Sequence, residues 1–427
     1  MSATKTFNIA IIGAGPAGLT LARLLHLQNI SFTVFESEAS SHARLQGGTL
    51  DLRDKTGLAA ITACQLYDEF LKLARWDGEA LKICDKNGKV WFKIGGGGNK
   101  GGKGRNGAKR KGDARPEIDR IMLRQLLLDS VPKDKIKWGK KLKRVTDDSE
   151  AGVRIHFEDG KEVGGFDLIV GADGAWSKTR RFLSDEMPSY SGICGTEQHI
   201  SDAEKRFPEI TKLVNRGSIF AFGGGQSMSM QQIGDGSIKV AEWGVRDVSW
   251  AKEHDAAKLE PAAIKSLLRE ELKDWAPEFR NMLENVDEGG AVTRALFMLP
   301  IGFQWENKKG VTVIGDAAHV MVPFAGEGAN LSMADAMYLA QWIQKSTGKA
   351  SLHENVAKFE KELFARMKPV QQISYDNMQD MFFTPGAPRT TIESYLTRLV
   401  KHMGGPVLGT LAGVGIYTYY WGYKLLN

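Results

Sequence analysis

Two acidic side chains, each at the end of an apolar strand and each beside glycines, are the residues best placed to do chemistry. Glu36 closes Ser31-Phe32-Thr33-Val34-Phe35-Glu36, and Asp316 follows Val311-Thr312-Val313-Ile314-Gly315. A carboxylate at such a strand end accepts hydrogen bonds from sugar hydroxyls. About twenty residues before Glu36 stands Gly13-Ala14-Gly15-Pro16-Ala17-Gly18, after the apolar run Phe7-Asn8-Ile9-Ala10-Ile11-Ile12. Gly13 permits a tight turn, Gly15 lets the backbone approach a pyrophosphate, and Gly18 lets the following helix pack on the sheet. That helix, expected over residues 17 to 27, aims its N–H groups and positive dipole end at phosphates. Glu36 would repel a 2′-phosphate, which disfavours NADP in this pocket.

Asp316 could hold a second sugar or the polyol chain of a flavin. Beyond it runs Pro323-Phe324-Ala325-Gly326-Glu327-Gly328-Ala329-Asn330, then an amphipathic helix through Met333, Met337 and Leu339. The N–H groups at that helix start form a site for negative charge, which a reduced flavin carries at the pyrimidine end of its ring. Between these two fingerprints lie further candidates. Gly47-Gly48-Thr49-Leu50-Asp51-Leu52 reads as a close backbone approach followed by an acid on a short strand. Pro116 should open a helix to about residue 131, with Arg120 and Arg124 on one face. Phe166-Asp167-Leu168-Ile169-Val170-Gly171-Ala172-Asp173-Gly174 is another buried strand leading into a glycine turn. No arrangement suggests a nucleophilic Ser or Cys or a metal. The three cysteines, Cys64, Cys84 and Cys194, have neither ligand spacing nor a disulfide pattern, so a reducing, cytoplasmic compartment is expected.

These motifs carry a resemblance. Gly13-Ala14-Gly15-Pro16-Ala17-Gly18, Gly171-Ala172-Asp173-Gly174 and Gly315-Asp316-Ala317-Ala318-His319 resemble those of the single-component FAD-dependent aromatic hydroxylases, typified by p-hydroxybenzoate hydroxylase. Gly47-Gly48-Thr49-Leu50-Asp51-Leu52, Pro116-Glu117-Ile118-Asp119-Arg120 with Leu123-Arg124, and residues 323 to 330 are most similar to the tetracycline-inactivating flavin monooxygenases. The resemblance spans about residues 7 to 380. It implies a monooxygenase with FAD as cofactor and NADPH or NADH as transient reductant. One atom of O2 would enter an aromatic or polyketide-like small molecule by way of a flavin C4a-hydroperoxide. It also implies cofactor contacts from Gly13, Gly15, Ala17, Gly18, Glu36, Gly48, Asp51, Arg120, Arg124, Asp173, Gly315, Asp316, Pro323, Gly326, Gly328, Ala329 and Asn330. His319 reads as structural. Ser37 stands where the family often has Arg. The polar residues that hold tetracycline have no match between 190 and 300, though Arg216, Glu242 and Trp243 fall near their places. Two other readings are a flavin-dependent halogenase or reductase, of which the halogenases' Trp-x-Trp-x-Ile-Pro signature is absent, and a non-catalytic flavin-binding protein at a membrane.

The elements that must position these residues follow from pattern and length. A chain of 427 residues fits about two or three domains. The expected fold class is α/β: a Rossmann-like FAD-binding domain, an inserted and mostly antiparallel β-sheet substrate domain, and a C-terminal helical segment. The FAD domain is discontinuous over 5–75, 115–189 and 301–370. The substrate domain takes 76–114 and 190–300, with one helix at about 261–271. Residues 371–427 form C-terminal helices and an apolar tail.

The net charge of +6 sits in a glycine-rich loop over 95–115, which carries seven basic residues against Asp113 alone. No aromatic residue interleaves with these charges, so nucleic acid is not expected as a partner. From Gly404 to Tyr423 there is no charge, but six glycines and a proline make a poor isolated helix. Packing on the protein body is the leading expectation there. Tyr417, Tyr419, Tyr420, Trp421 and Tyr423 would also suit a membrane surface.

Overall fold

The computed structural model describes residues 7–41, 47–75, 80–95, 116–148 and 152–426. Most of the basic glycine-rich loop, residues 96–115, lies outside these. The chain divides into two compact units. The first comprises Met1–Trp76, Gly107–Ser189 and Phe297–Gln372, and the second Asp77–Asn106, Tyr190–Leu296 and Ile373–Asn427.

The first unit is built on a five-stranded parallel sheet. Its spatial order is Val311–Val313, Leu168–Gly171, Asn8–Ile12, Ser31–Phe35, Ile136–Lys137. Ile9 stands between Leu168 and Phe32, and Ile12 between Gly171 and Phe35. Ile9, Ile11, Ile169, Val170 and Val313 are wholly buried, as expected of parallel strands covered on both faces. Helix Pro16–Leu27 packs against helix Gly328–Lys345. Gly13 has φ +108°, and a Cβ on Gly18 would stand 2.0 Å from the Gly13 carbonyl oxygen. Both positions therefore need glycine, one for conformation and one for contact.

One expected element changes type. Glu117–Asp119 is a strand paired antiparallel with Thr49–Asp51, and the helix begins only at Arg120, running Arg120–Asp129. The Pro116 signal for a helix start is local. It is overridden by a distant partner, because Leu52 donates to the Pro116 carbonyl and Glu117 exchanges backbone bonds with Arg75.

The second unit holds a seven-stranded sheet in the order Val292–Met298, Ser189–Ile200, Ile238–Val245, Gln226–Gln232, Ser218–Gly223, Leu81–Asp85, Val90–Ile94. Leu81–Asp85 pairs in parallel with Ser218–Gly223, while the other registered pairings are antiparallel. Helices Pro208–Val214, Pro261–Glu271 and Pro277–Glu284 bury Met228, Met230 and Val240 on one face. Of these three only the middle helix is expected from the sequence pattern, although Pro208 and Pro277 open the other two as first-turn prolines.

The tail helix Ile392–Leu426 is broken at Gly405, whose φ is +83°. Its two arms pair closely. A Cβ on Gly409 would lie 2.4 Å from the Lys401 Cα, and Lys424 bonds Glu393 at 2.6 Å. Tyr420 donates its hydroxyl to the Trp91 carbonyl. The glycines that weaken an isolated helix thus allow this one to pack. Leu411, Val414 and Trp421 stay exposed on its outer side. No helix among the described residues is long and apolar enough to cross a membrane.

Candidate cofactor and active site

At the first glycine turn the backbone leaves room. A Cβ on Gly15 would meet nothing within 4 Å, and no side chain caps the helix that starts at Pro16. Its first N–H groups are therefore directed at open space. Glu36 faces the same turn. One of its oxygens accepts the Ala14 N–H at 2.6 Å, and the other accepts the Ser37 hydroxyl and the Glu38 N–H, each at 2.9 Å. About one of the roughly four acceptor positions of a carboxylate remains for a sugar. Glu36 thus shapes the loop as well as facing it.

The two helix arginines have separate surroundings. Arg124 donates to the Ala14 carbonyl at 3.3 Å, the Ser41 carbonyl at 3.2 Å and the Glu38 carboxylate at 2.7 Å. It staples the glycine turn to the segment after the second strand. Arg120 is exposed, and its guanidinium has no partner among the described residues. Its backbone N–H bonds the Gly48 carbonyl at 3.0 Å, and its stem lies 2.9 Å from where a Gly47 Cβ would be.

The second glycine turn is held from beneath by charge. Gly315 has φ +62°, and its N–H donates to Asp335 Oδ2 at 3.1 Å. The same oxygen accepts His319 Nε2 at 2.6 Å, and Oδ1 accepts Arg366 at 2.8 Å. Burial on its own would raise the Asp335 carboxyl, but His319 and Arg366 outweigh it and hold the group below the usual carboxylate range. Asp316 points the other way. It is exposed, and its carboxylate has no protein partner among the described residues. Arg180, wholly buried, donates to the carbonyls of Ala317 and Ala175 at 2.8 Å each, tying this turn to the Asp173-Gly174 turn.

Asp173 is folded onto its own turn. It accepts the Ser177 hydroxyl at 2.5 Å, the N–H groups of Lys178 and Thr179 at 2.9 and 3.1 Å, and the Thr179 hydroxyl at 3.1 Å. Burial is the main influence on its carboxyl and raises it. The Asn330 carboxamide is likewise committed. It accepts the N–H groups of Arg53 and Gly57 at 2.9 and 3.2 Å and donates to the Asp51 carbonyl at 2.8 Å. Asn330 bolts the start of helix Gly328–Lys345 to the strand Thr49–Asp51. Around it, Pro323 and Gly326 are exposed, Ala329 is half-buried, and a Gly328 Cβ would meet nothing within 4 Å. Ala17 closes the core of the site, its Cβ 3.2 Å from where a Gly315 Cβ would lie.

These surroundings sort the predicted residues. Gly15 and Gly328 border open space, the side chains of Arg120 and Asp316 have no partner among the described residues, and Gly326 is exposed beside the Arg53 guanidinium. Glu36, Arg124, Asp173 and Asn330 spend their polar groups on the cradle. Arg53, Asp335, Arg180 and Arg366 were not singled out from the sequence. Asp335 had a signal, since it is a lone acid between Ala334 and Ala336 in an otherwise apolar helix segment. In the second unit, Glu242 and Trp243 point to opposite faces of their strand. Glu242 faces the helices and pairs with Arg246 at 2.6 Å. Trp243 shares the other face with its cross-strand partner Ser227. Arg216 sits in a left-handed turn after helix Pro208–Val214.

The NAD(P)-binding Rossmann-like domain profile matches residues 11–46, and the FAD binding domain profile matches residues 303–360. The two matches cover the two fingerprints. The chain is 32% identical to "Monooxygenase penA" of Penicillium thymicola, over 91% of this chain and 98% of that one. The chain belongs to the FAD-dependent monooxygenases. This monooxygenase is also 29% identical to "Monooxygenase asqM" of Emericella nidulans, over 88% of its own length and 93% of the relative's. In fold it is similar to Klebsiella pneumoniae HpxO complexed with FAD and uric acid, with TM-score 0.74, 17% identity and coverage of 98% and 99%. It is similar as well to tetracycline destructase Tet(51), with TM-score 0.66, 18% identity and coverage of 93% and 97%.

FAD is the cofactor of this monooxygenase, and the residues present suit it. Open space at Gly15 and Gly328, each at an uncapped helix start, fits the two anionic parts of the molecule. The unpaired carboxylate of Asp316 fits a polyol. No group of residues among those described could hold a metal ion.

Proposed function

We propose that this enzyme uses NADPH or NADH to reduce bound FAD and inserts one atom of O2 into an aromatic or polyketide-like small molecule. When bound, reduced FAD supplies the oxygen chemistry, and the protein supplies binding, orientation and a shielded pocket. In this reading Gly13, Gly15, Gly18 and Glu36 receive the adenosine and pyrophosphate, with Arg120, whose guanidinium has no partner among the described residues, as the cation beside them. Gly315 and Asp316 receive the ribityl chain. Pro323, Gly326, Gly328 and Ala329 receive the ring end, with Asp51 and Gly48 across from them. Arg124, Asp173 and Asn330 act on the cofactor by bracing the backbone that touches it.

The observation that carries the reading is the free carboxylate of Asp316, set at a buried strand end above a charge-anchored glycine turn. An exposed carboxylate with no partner among the described residues, beside a turn tied down by Asp335 and Arg180, is a group available to a ligand. We assign substrate recognition to the second unit, where the sheet face bearing Trp243, Ser227 and Ser229 offers a flat ring and hydroxyls. Two fold neighbours lend support to this class: one is complexed with uric acid, and another is a 2,6-dihydroxypyridine-3-hydroxylase.

The test is oxidation of NADPH and of NADH by the purified yellow protein with a panel of phenols, N-heteroaromatics and polyketides. A substrate should accelerate oxidation and gain 16 mass units, with label from 18-oxygen gas. Oxidation that stays slow with every compound, or label taken from water, would overturn it.

A further inference from the structure

Helix Gly328–Lys345 begins directly after Glu327. The first N–H groups of a helix lack intrahelical acceptors and carry the positive end of its dipole. A carboxylate one residue ahead is drawn to them and would occupy the place of a negative ligand. Glu327 does not do so, since its side chain makes no capping hydrogen bond. It pairs instead with Arg53, and both side chains are largely buried, at 5% and 18% exposure. Arg53 is itself fixed at several points. Its guanidinium donates to the Ala325 carbonyl at 3.3 Å and lies 3.8 Å from Asp51, while its backbone N–H bonds Asn330 at 2.9 Å.

We infer that Arg53 is a positioning residue that holds Glu327 off the start of helix Gly328–Lys345, keeping that helix end open to the anionic end of reduced FAD. The inference rests on the reading that residues 323–330 receive the ring end of the cofactor. Without Arg53, Glu327 caps the helix or leaves an unbalanced buried charge beside it. Either outcome opposes a negative ligand at the same place.

The experiment compares Arg53→Met, Arg53→Lys, Glu327→Gln and the double variant Arg53→Met/Glu327→Gln. Apoprotein reconstitution gives the FAD dissociation constant, dye equilibration gives the midpoint potential of bound flavin, and the thermal midpoint is read on apoprotein. Arg53→Met should weaken FAD about tenfold and lower the potential, because a buried carboxylate loses its partner. Arg53→Lys keeps the charge and should hold the potential near that of the parent. The double variant should recover both affinity and potential, since the interfering charge is gone. A purely structural Arg53 would lower the thermal midpoint of Arg53→Met, leave the potential unchanged, and show no recovery in the double variant; that result overturns the inference. Gly328→Leu tests the reading beneath it by filling the open space at the helix start. If Gly328→Leu binds FAD like the parent, the placement of the ring end fails. If Gly328→Leu loses FAD while Arg53→Met keeps its potential, only the role of Arg53 fails.

Discussion

Replacing Asp335 with alanine should destabilise the FAD-binding unit by about 3–5 kcal/mol, the cost of removing one partner from a buried ion pair. The carboxylate is wholly buried and accepts from His319 at 2.6 Å, Arg366 at 2.8 Å and the Gly315 N–H at 3.1 Å. Each bond to a charged acceptor contributes about 1.5–3 kcal/mol, but the three share one group and do not simply add. Arg366 is 21% exposed, so water recovers part of its loss, whereas His319 has no such relief. For a unit of this size about 1 kcal/mol moves the melting midpoint by roughly 2–4 °C, so a fall of about 6–20 °C is expected. Gly315 also loses the acceptor that fixes its turn, so flavin content should drop with stability. The pH dependence supplies an independent check. The Asp335 carboxyl is held below its unfolded value, so its contribution is present above about pH 4 and fades as pH falls through the lower folded value. The gap between parent and Asp335→Ala should therefore narrow on acidification. Paired melts of apoprotein and holoprotein from pH 3 to pH 8 measure this. A loss below about 1 kcal/mol, or a gap that is constant with pH, would refute the assignment of this network as the anchor of the turn.

Asp316→Ala should fold as the parent does yet lose most bound FAD, because an exposed, unpaired carboxylate contributes little to stability; absorbance at 450 nm after purification decides it. In the second unit, burial outweighs Arg246 and pushes the Glu242 carboxyl up to about 7, above its unfolded value. Its contribution therefore falls as pH rises from about 4.3 through about 7, and Glu242→Gln should flatten the decline of thermal midpoint over that window. Equal slopes for the two proteins would contradict this. Cys64, Cys84 and Cys194 are buried, with the thiols of Cys64 and Cys84 pushed up to about 12 and about 11 by desolvation. All three should resist maleimide in the native protein and react on denaturation, as counted by mass spectrometry.

Much of the frame was legible in the chain because it is encoded locally. Apolar runs such as Ile9 to Ile12 state their burial on both faces. Glycines at 13, 18 and 315 state a backbone geometry or a contact that no side chain survives. The hairpin joining Leu81–Asp85 to Val90–Ile94 is also local, since it turns at Asn87-Gly88, where Gly88 has φ +83°. Where local and distant signals competed, the distant one prevailed. Pro116 reads as a helix start, but pairing of Glu117–Asp119 with Thr49–Asp51 across nearly 70 residues made a strand. The tail shows the same physics. Its glycines lower helix propensity, yet they admit the close approach of Lys401 and Thr397 that stabilises the paired arms.

Residue types and spacing alone pointed to FAD as the cofactor, to two fingerprints far apart along the chain, and to an α/β frame around them, because glycine turns and strand-end acids act through nearby backbone. They could not separate the polar side chains that stay available from those whose hydrogen bonds the fold consumes. Asp316 and Asp173 look alike in sequence, each an acid after a buried strand and glycine. The turn after Asp173 folds back to surround it with four donors, whereas the Asp316 carboxylate meets no partner among the described residues. Arg120 and Arg124 share a helix face, yet only Arg124 meets Glu38, 86 residues away. Hydrogen-bond capacity is finite, and partners that consume it arrive from anywhere in the chain. Which polar groups remain available to a ligand is therefore decided only when the fold has closed.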